Sequence, residues 1–193
     1  GTSVGELATK NYPEGIKVTE NGFMENINQT KQLLKKQKPL FEAGFMINGL
    51  FSRADILVPN NDNSWDIIEV KSSTQVKDVN IHDVSFQKYV YEISGLTINN
   101  CYVMVINNEY VKQGAIEPEK LFKKVDVTEQ VDEFSQDIET RIKDMKEIIK
   151  GRQPLTQIGP YCTDPYECNL KEICWKDIPN SSVFDLSRGA KKS

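Results

Sequence analysis

Glu69 and Lys71 stand two residues apart in the run Trp65-Asp-Ile-Ile-Glu-Val-Lys-Ser72, which reads as a β-strand. Side chains two apart leave a strand on one face. Asp55 lies in the strand before it, Leu50 to Pro59, and antiparallel pairing can bring it within reach of Glu69. Two carboxylates and a lysine converging on buried strands are costly unless they are paired or bind a metal. Around Mg²⁺ the set makes chemical sense, because a hard ion takes oxygen ligands. Such an ion acidifies a bound water and offsets developing phosphate charge. A lysine beside it can orient that water or stabilise the transition state. The plain alternative is a salt-bridged pair on a solvated sheet face. Ile56-Leu57-Val58 and Ile67-Ile68, flanking the charges, point instead to central, buried strands.

Gln87 and Tyr91, four apart on a predicted helix from about Asn80 to Ser94, share one face of it. Taken alone, they read as one polar surface residue and one core tyrosine. Glu42, on the first strand, is a further polar contributor. His82 is the chain's one histidine and reads as a surface or capping residue, so a Ser-His-Asp triad has little support. No G-x-x-x-x-G-K-[ST] loop is present, which argues against a nucleoside triphosphatase. Cys162, Cys168 and Cys174 are spaced Cys-x₅-Cys-x₅-Cys in a loop-rich tail. Clustered soft thiolates suit Zn²⁺ or an iron–sulfur cluster, and the long gaps favour the latter over a zinc finger. Three ligands are one short. Cys101 opens an apolar strand and reads as a core thiol.

These residues must be positioned by ordinary globular elements. The chain has 193 residues and a formal charge of −4, from 24 basic against 28 acidic residues. That excludes a wholly basic nucleic-acid-binding surface but allows a local basic groove. No run of about 18 apolar residues supports a membrane span. No secretory leader is visible, so a reducing cytoplasm is expected, where clustered thiols bind metal more often than they pair. Both ends read as cuts from a longer protein. Ser3 to Lys10 predicts a short helix, and Thr19 to Gln37 a second with Phe23, Ile27, Thr30 and Leu34 on one face. Lys31, Lys35, Lys36 and Lys38 complement that helix's C-terminal dipole. Leu40–Asn48, Leu50–Pro59 and Trp65–Ser72 predict an antiparallel meander. After the helix ending at Gly95 come strands at Cys101–Asn107 and Phe122–Val127. One long helix follows from Thr128 to Lys150, striped by Val131, Phe134, Ile138, Ile142, Met145 and Ile149. The class is mixed α/β.

Together the motifs resemble the PD-(D/E)XK nuclease superfamily, in its RecB-like exonuclease branch. Arg53-Ala-Asp55-Ile-Leu looks like that family's first acidic motif, Glu69-Val-Lys71 its E-x-K, and Gln87-Lys-Tyr-Val-Tyr91 its Q-x-x-x-Y. The tail with Cys162, Cys168 and Cys174 is similar to the C-terminal cysteines of AddB-like and CRISPR-associated members, which carry a 4Fe–4S cluster. The resemblance implies a restriction-endonuclease-like αβββαβ core with a mixed central sheet flanked by helices. It implies a core over residues 1–153, an iron–sulfur segment over 154–180 and a linker over 181–193. It implies a Mg²⁺- or Mn²⁺-dependent DNA exonuclease acting on DNA with a free end. Asp55, Glu69 and the Val70 carbonyl would hold the metal, and Lys71 would position the water. Gln87 and Tyr91 would orient phosphate or support the metal shell. The fourth cluster ligand would lie upstream, in a larger parent protein with further domains. Relatives often carry a metal-binding histidine in a G-x-x-x-H pattern, where this chain has Gly5; Glu6 beside it could substitute. That departure supports a second reading, a catalytically silent nucleic-acid-binding module stapled by an iron–sulfur or zinc site. A zinc-stapled regulatory domain is a third.

Overall fold

The chain lays down its sheet in sequence order, so that each strand pairs with the next. The strands are β1 (Ile16–Lys17), β2 (Leu40–Ile47), β3 (Leu50–Pro59), β4 (Ser64–Val70), β5 (Thr97–Ile106) and β6 (Phe122–Asp126). The computed structural model describes residues 2–19, 22–152, 155–179 and 181–182. β2, β3 and β4 form the expected antiparallel meander. Asn48 and Gly49 both take positive φ (52° and 74°) between β2 and β3, the backbone twist that a two-residue hairpin requires. β1–β2 and β4–β5 pair in parallel. A parallel pair needs a crossover. α2 (Phe23–Leu33) supplies the first and α3 (Asp78–Ile93) the second. α1 (Thr2–Thr9) precedes β1, and α4 (Pro118–Leu121), α5 (Thr128–Ser135), α6 (Ile138–Lys150) and α7 (Lys171–Cys174) complete the described helices.

Two apolar layers hold the sheet. One packs Leu40, Ala43, Ala54, Leu57 and Ile67 against Leu33 of α2, Val84 and Val90 of α3, and Val131 of α5. The other packs Phe41, Ile56, Ile68 and Met104 against Ala8 of α1. The order helix, three strands, helix, strand is present in α1, β2, β3, β4, α3 and β5, within a six-stranded mixed α/β sheet.

Three expectations change. The helix expected over 19–37 begins only at Phe23, and a 3₁₀ turn at Leu34–Lys36 ends it. Leu33 is buried there, and Phe23 is half exposed. The single helix expected over 128–150 is two. Ser135 Oγ donates to the Val131 carbonyl (2.6 Å), Arg141 donates to the Phe134 carbonyl, and the same guanidinium nitrogen pairs with Asp137 Oδ1 (2.6 Å). These bonds satisfy the end of α5 and re-start the chain as α6. Val131 and Ile138 of the predicted stripe are buried, but Met145 and Ile149 are exposed. β5 begins at Thr97 rather than Cys101, and β1 had no sequence signal at two residues. No described helix is long and apolar enough to cross a membrane.

The chain divides into two compact units, Gly1–Ile142 and Lys143–Ser193. The second contains most of α6, a 3₁₀ turn at Pro160–Cys162 and α7. Its 155–179 stretch holds short turns closed by backbone bonds, such as Cys168 N–H to the Cys162 carbonyl (2.9 Å).

Candidate functional site

The site forms where the β2–β3 ladder is interrupted without a change of register. Every residue of β2 has a register partner except Glu42, which falls opposite Asp55. Ala54 and Leu57, three apart, face the same apolar layer, so the two-residue alternation breaks between them. Glu42 takes a left-handed φ of 58°. A non-glycine residue there costs roughly 1–2 kcal/mol, so its neighbours must hold it. Buried Asn26 of α2 does so, its Nδ2 donating to the carbonyls of Glu42 and Thr19 (both 2.9 Å). Thr30 Oγ1 accepts from the Gly44 N–H (3.1 Å). Gly44 has no alternative here, since a Cβ on it would sit 2.1 Å from Asn26 Oδ1. α2 thus pins β2 at the interruption, and the Glu42 side chain pairs with Arg53 (3.0 Å).

Across the next ladder, Ile56 pairs with Ile68, which aligns Asp55 with Glu69. Asp55 Oδ2 accepts the Val70 N–H (2.7 Å). Glu69 is almost wholly buried; its Oε1 accepts from Lys71 Nζ (2.6 Å) and its Oε2 from Gln87 Nε2 (2.7 Å). Lys71 lies just past the end of β4, yet its N–H still bonds the Met104 carbonyl of β5 (2.9 Å). Pairing therefore continues, and Lys71 keeps the same face as Glu69. Its Nζ also meets Asp83 Oδ2 (2.9 Å). Gln87 is buried, with Oε1 lacking a partner. Tyr91 is fully buried with its ring 4.4 Å from that of Phe45. Its hydroxyl approaches Ser52 without reaching bonding geometry, and burial holds its pKa well above the ordinary value.

The electrostatics follow from this crowding. Burial, then repulsion from Asp55, pushes the Glu69 carboxyl up to about 7 against the pull of Lys71. Burial also raises Asp55, although the Val70 N–H and Lys71 favour its charge. For Lys71, burial opposes the charge, but Glu69 and Asp83 outweigh it and hold the ammonium above its ordinary pKa. Two carboxylates are thus held together at a free-energy cost that a cation can relieve.

A cavity of about 640 Å³ opens over them, lined by Asp55, Glu69, Val70 and Lys71 together with Gly5, Glu6, Glu42 and Arg53. Glu6 is exposed, and a Cβ at Gly5 would meet nothing within 4 Å. Among the described residues, no three His, Cys, Asp or Glu side chains gather into a metal-holding group. Mg²⁺ commonly takes only one or two carboxylates from the protein and completes its shell with water and phosphate. Asp55, Glu69 and the Val70 carbonyl fit that habit, and their raised carboxyl pKa values favour a cation. The thiols are different. Cys162 is buried, whereas Cys168 and Cys174 are exposed, and they do not converge. No chemical step is assigned to them.

His82 stands apart from the carboxylates, with its ring edge-on to Phe134 (4.4 Å) and Nδ1 3.2 Å from the Arg141 guanidinium. Cys101 is buried, and burial pushes its thiol up to about 12. Asp83 is the residue that sequence reasoning missed. Its signal was available: it lies one helical turn before Gln87, which lies one turn before Tyr91, so all three share one face of α3.

No protein-family model and no curated protein matches the chain. Among solved structures it is similar to one described as "Crystal structure of SSO0001", with 11% identity over 80% of this chain and 89% of that chain, at a TM-score of 0.30. The functional reading therefore rests on the geometry of the site itself.

Proposed function

We propose that the first unit is a divalent-metal-dependent nuclease domain of PD-(D/E)XK type, hydrolysing phosphodiester bonds of DNA at a free end. The observation that carries this reading is half-buried Asp55 aligned with buried Glu69, which is bonded to Lys71, all lining one open cavity. The element order α1, β2–β4, α3, β5 supports it as the scaffold that the motifs require. Asp55, Glu69 and the Val70 carbonyl would hold Mg²⁺ or Mn²⁺, and exposed Glu6 lines the same cavity without gathering with them into a three-carboxylate group. When bound, that ion supplies Lewis acidity toward phosphate and acidifies water.

The chain's own residues set the geometry. Gln87 fixes one oxygen of Glu69, and Lys71 fixes the other. Asp83 steadies the ammonium, so that Lys71 points at the cavity rather than sampling rotamers. From there Lys71 donates a hydrogen bond to an attacking water and stabilises charge on the phosphoryl oxygens. Buried Tyr91 supports α3 beneath Gln87. For the second unit, the close sequence spacing of Cys162, Cys168 and Cys174 supports a structural iron–sulfur site, whose ligands would have to draw together from the separate positions they hold here.

The test is cleavage of end-labelled linear single- and double-stranded DNA with Mg²⁺, Mn²⁺ or EDTA. Activity is expected with either metal and none with EDTA. Asp55→Asn and Lys71→Ala are expected to lower it by about 10²–10³-fold or more. Asp83→Asn should lower it less, by roughly tenfold. Metal-insensitive DNA binding without cleavage would leave the silent binding module in place of the nuclease.

A further inference from the structure

Two exposed aromatic rings stand beside the site. Phe23, at the start of α2, is 49% exposed and Phe51, on β3, is 38% exposed. Their ring centroids are 4.6 Å apart and tilted by 52°. Phe51 and Arg53 alternate with buried Ser52 and Ala54, so both point away from the core. Met46, the register partner of Phe51, is also exposed. Both rings keep a large part of their surface in water, although burying it would be favourable.

A cavity of about 430 Å³ lies against them, lined by Gly22, Phe23, Asn26, Phe51 and Arg53. Arg53 also lines the 640 Å³ cavity that holds Asp55, Glu69 and Lys71. Arg53 therefore borders both spaces, between the aromatic pair and the carboxylates. Glu42 engages it through Nε (3.0 Å), and a guanidinium carries five N–H donors in a fork suited to phosphate oxygens.

We infer that the Phe23–Phe51 pair is a stacking platform for a base of single-stranded nucleic acid, with Arg53 holding the adjacent phosphate and leading the strand toward Asp55 and Glu69. The inference rests on the nuclease reading for its direction and sharpens the substrate to an unpaired strand or frayed end. Charge and shape select the occupant. Two ring faces beside one cation match a base followed by a phosphate, whereas a protein partner would need a broader apolar patch. A duplex keeps its base faces stacked on each other, so only unpaired bases reach the rings. Every base has a π-face, so the platform is tolerant of sequence.

The test is anisotropy titration of the full chain in EDTA, so that no cleavage intrudes. The probes are a labelled single-stranded oligodeoxynucleotide, the matching duplex and an abasic strand of equal length. The base-bearing single strand is expected to bind tightest. Phe51→Ala and Phe23→Ala should each weaken it by about 5- to 150-fold while leaving the abasic strand unchanged. Phe51→Trp should keep the affinity, which separates stacking from loss of fold. Arg53→Ala should weaken all three probes and flatten the salt dependence. Equal binding of base-bearing and abasic strands by the wild type overturns the inference, as does a Phe51→Ala variant that binds like the wild type. Self-association lost in Phe51→Ala without loss of strand binding overturns it too. Base-preferring binding without Mg²⁺- or Mn²⁺-dependent cleavage removes the nuclease reading and keeps the platform. Cleavage without base preference does the reverse.

Discussion

Glu69 sits where a carboxylate is expensive, and its two oxygens are already committed to Lys71 and Gln87. Its folded pKa of about 7 exceeds the ordinary 4.5, chiefly through burial and then through Asp55. The native state therefore holds a proton that the unfolded chain has released. Where the native state binds more protons, stability falls as pH rises. Metal-free protein should lose thermal stability as pH climbs from about 4.5 to about 7, and Glu69→Gln should flatten that slope. Asp55 is raised as well and adds to the same trend. Lys71, held charged by its partners, contributes no change in this window. Mg²⁺ should then stabilise most above about pH 7 and little below 4.5, where protons compete for the same oxygens. Scanning calorimetry at several pH values with and without Mg²⁺ checks both trends.

At the scale of elements, α2 does more than cross over from β1 to β2. Its Asn26 and Thr30 grip the backbone of β2 at Glu42 and at Gly44, and the bare Gly44 makes room for that grip. Gly44→Ala should cost about 1–3 kcal/mol, because the new methyl group overlaps Asn26 Oδ1. Asn26→Ala should be destabilising too, since it removes the bonds to Glu42 and Thr19. The double variant should cost clearly less than the sum, because the clash disappears with the amide. Urea unfolding of the four proteins measures that coupling, and strict additivity would show that the contact does not matter. The interruption at Glu42 was invisible in the sequence. Leu40–Asn48 reads as an ordinary strand, and nothing local announces a left-handed Glu42.

For the whole molecule, the two units make different demands on their cysteines. Cys101 in the first unit is buried with a thiol pKa near 12, which makes it inert. Cys168 and Cys174 in the second are exposed. Alkylation of native, metal-stripped protein at neutral pH should modify Cys168 and Cys174 and spare Cys101, as read by peptide mass analysis. If the three tail thiols hold iron and sulfide, anaerobically purified full-length protein should contain both and resist that alkylation. A colourless, zinc-loaded preparation would sink the iron–sulfur proposal.

Local periodicity sufficed for the meander, for α3 and for the spacing that sets Glu69 beside Lys71 and Gln87 below Tyr91. Those features depend on repeats of two and 3.6 residues, which any window of the chain displays. Apolar flanks also marked β3 and β4 as central strands before any pairing was known. The rest needed partners distant along the chain. Asp83 joined the site only because α3 lies across β4. Glu42 and Asp55 were set opposite one another by register and by Asn26. The break between α5 and α6 depends on Arg141, which no stripe of apolar residues can signal. Phe23 and Phe51, 28 positions apart in sequence, became one surface only when α2 packed against the β2–β3 hairpin.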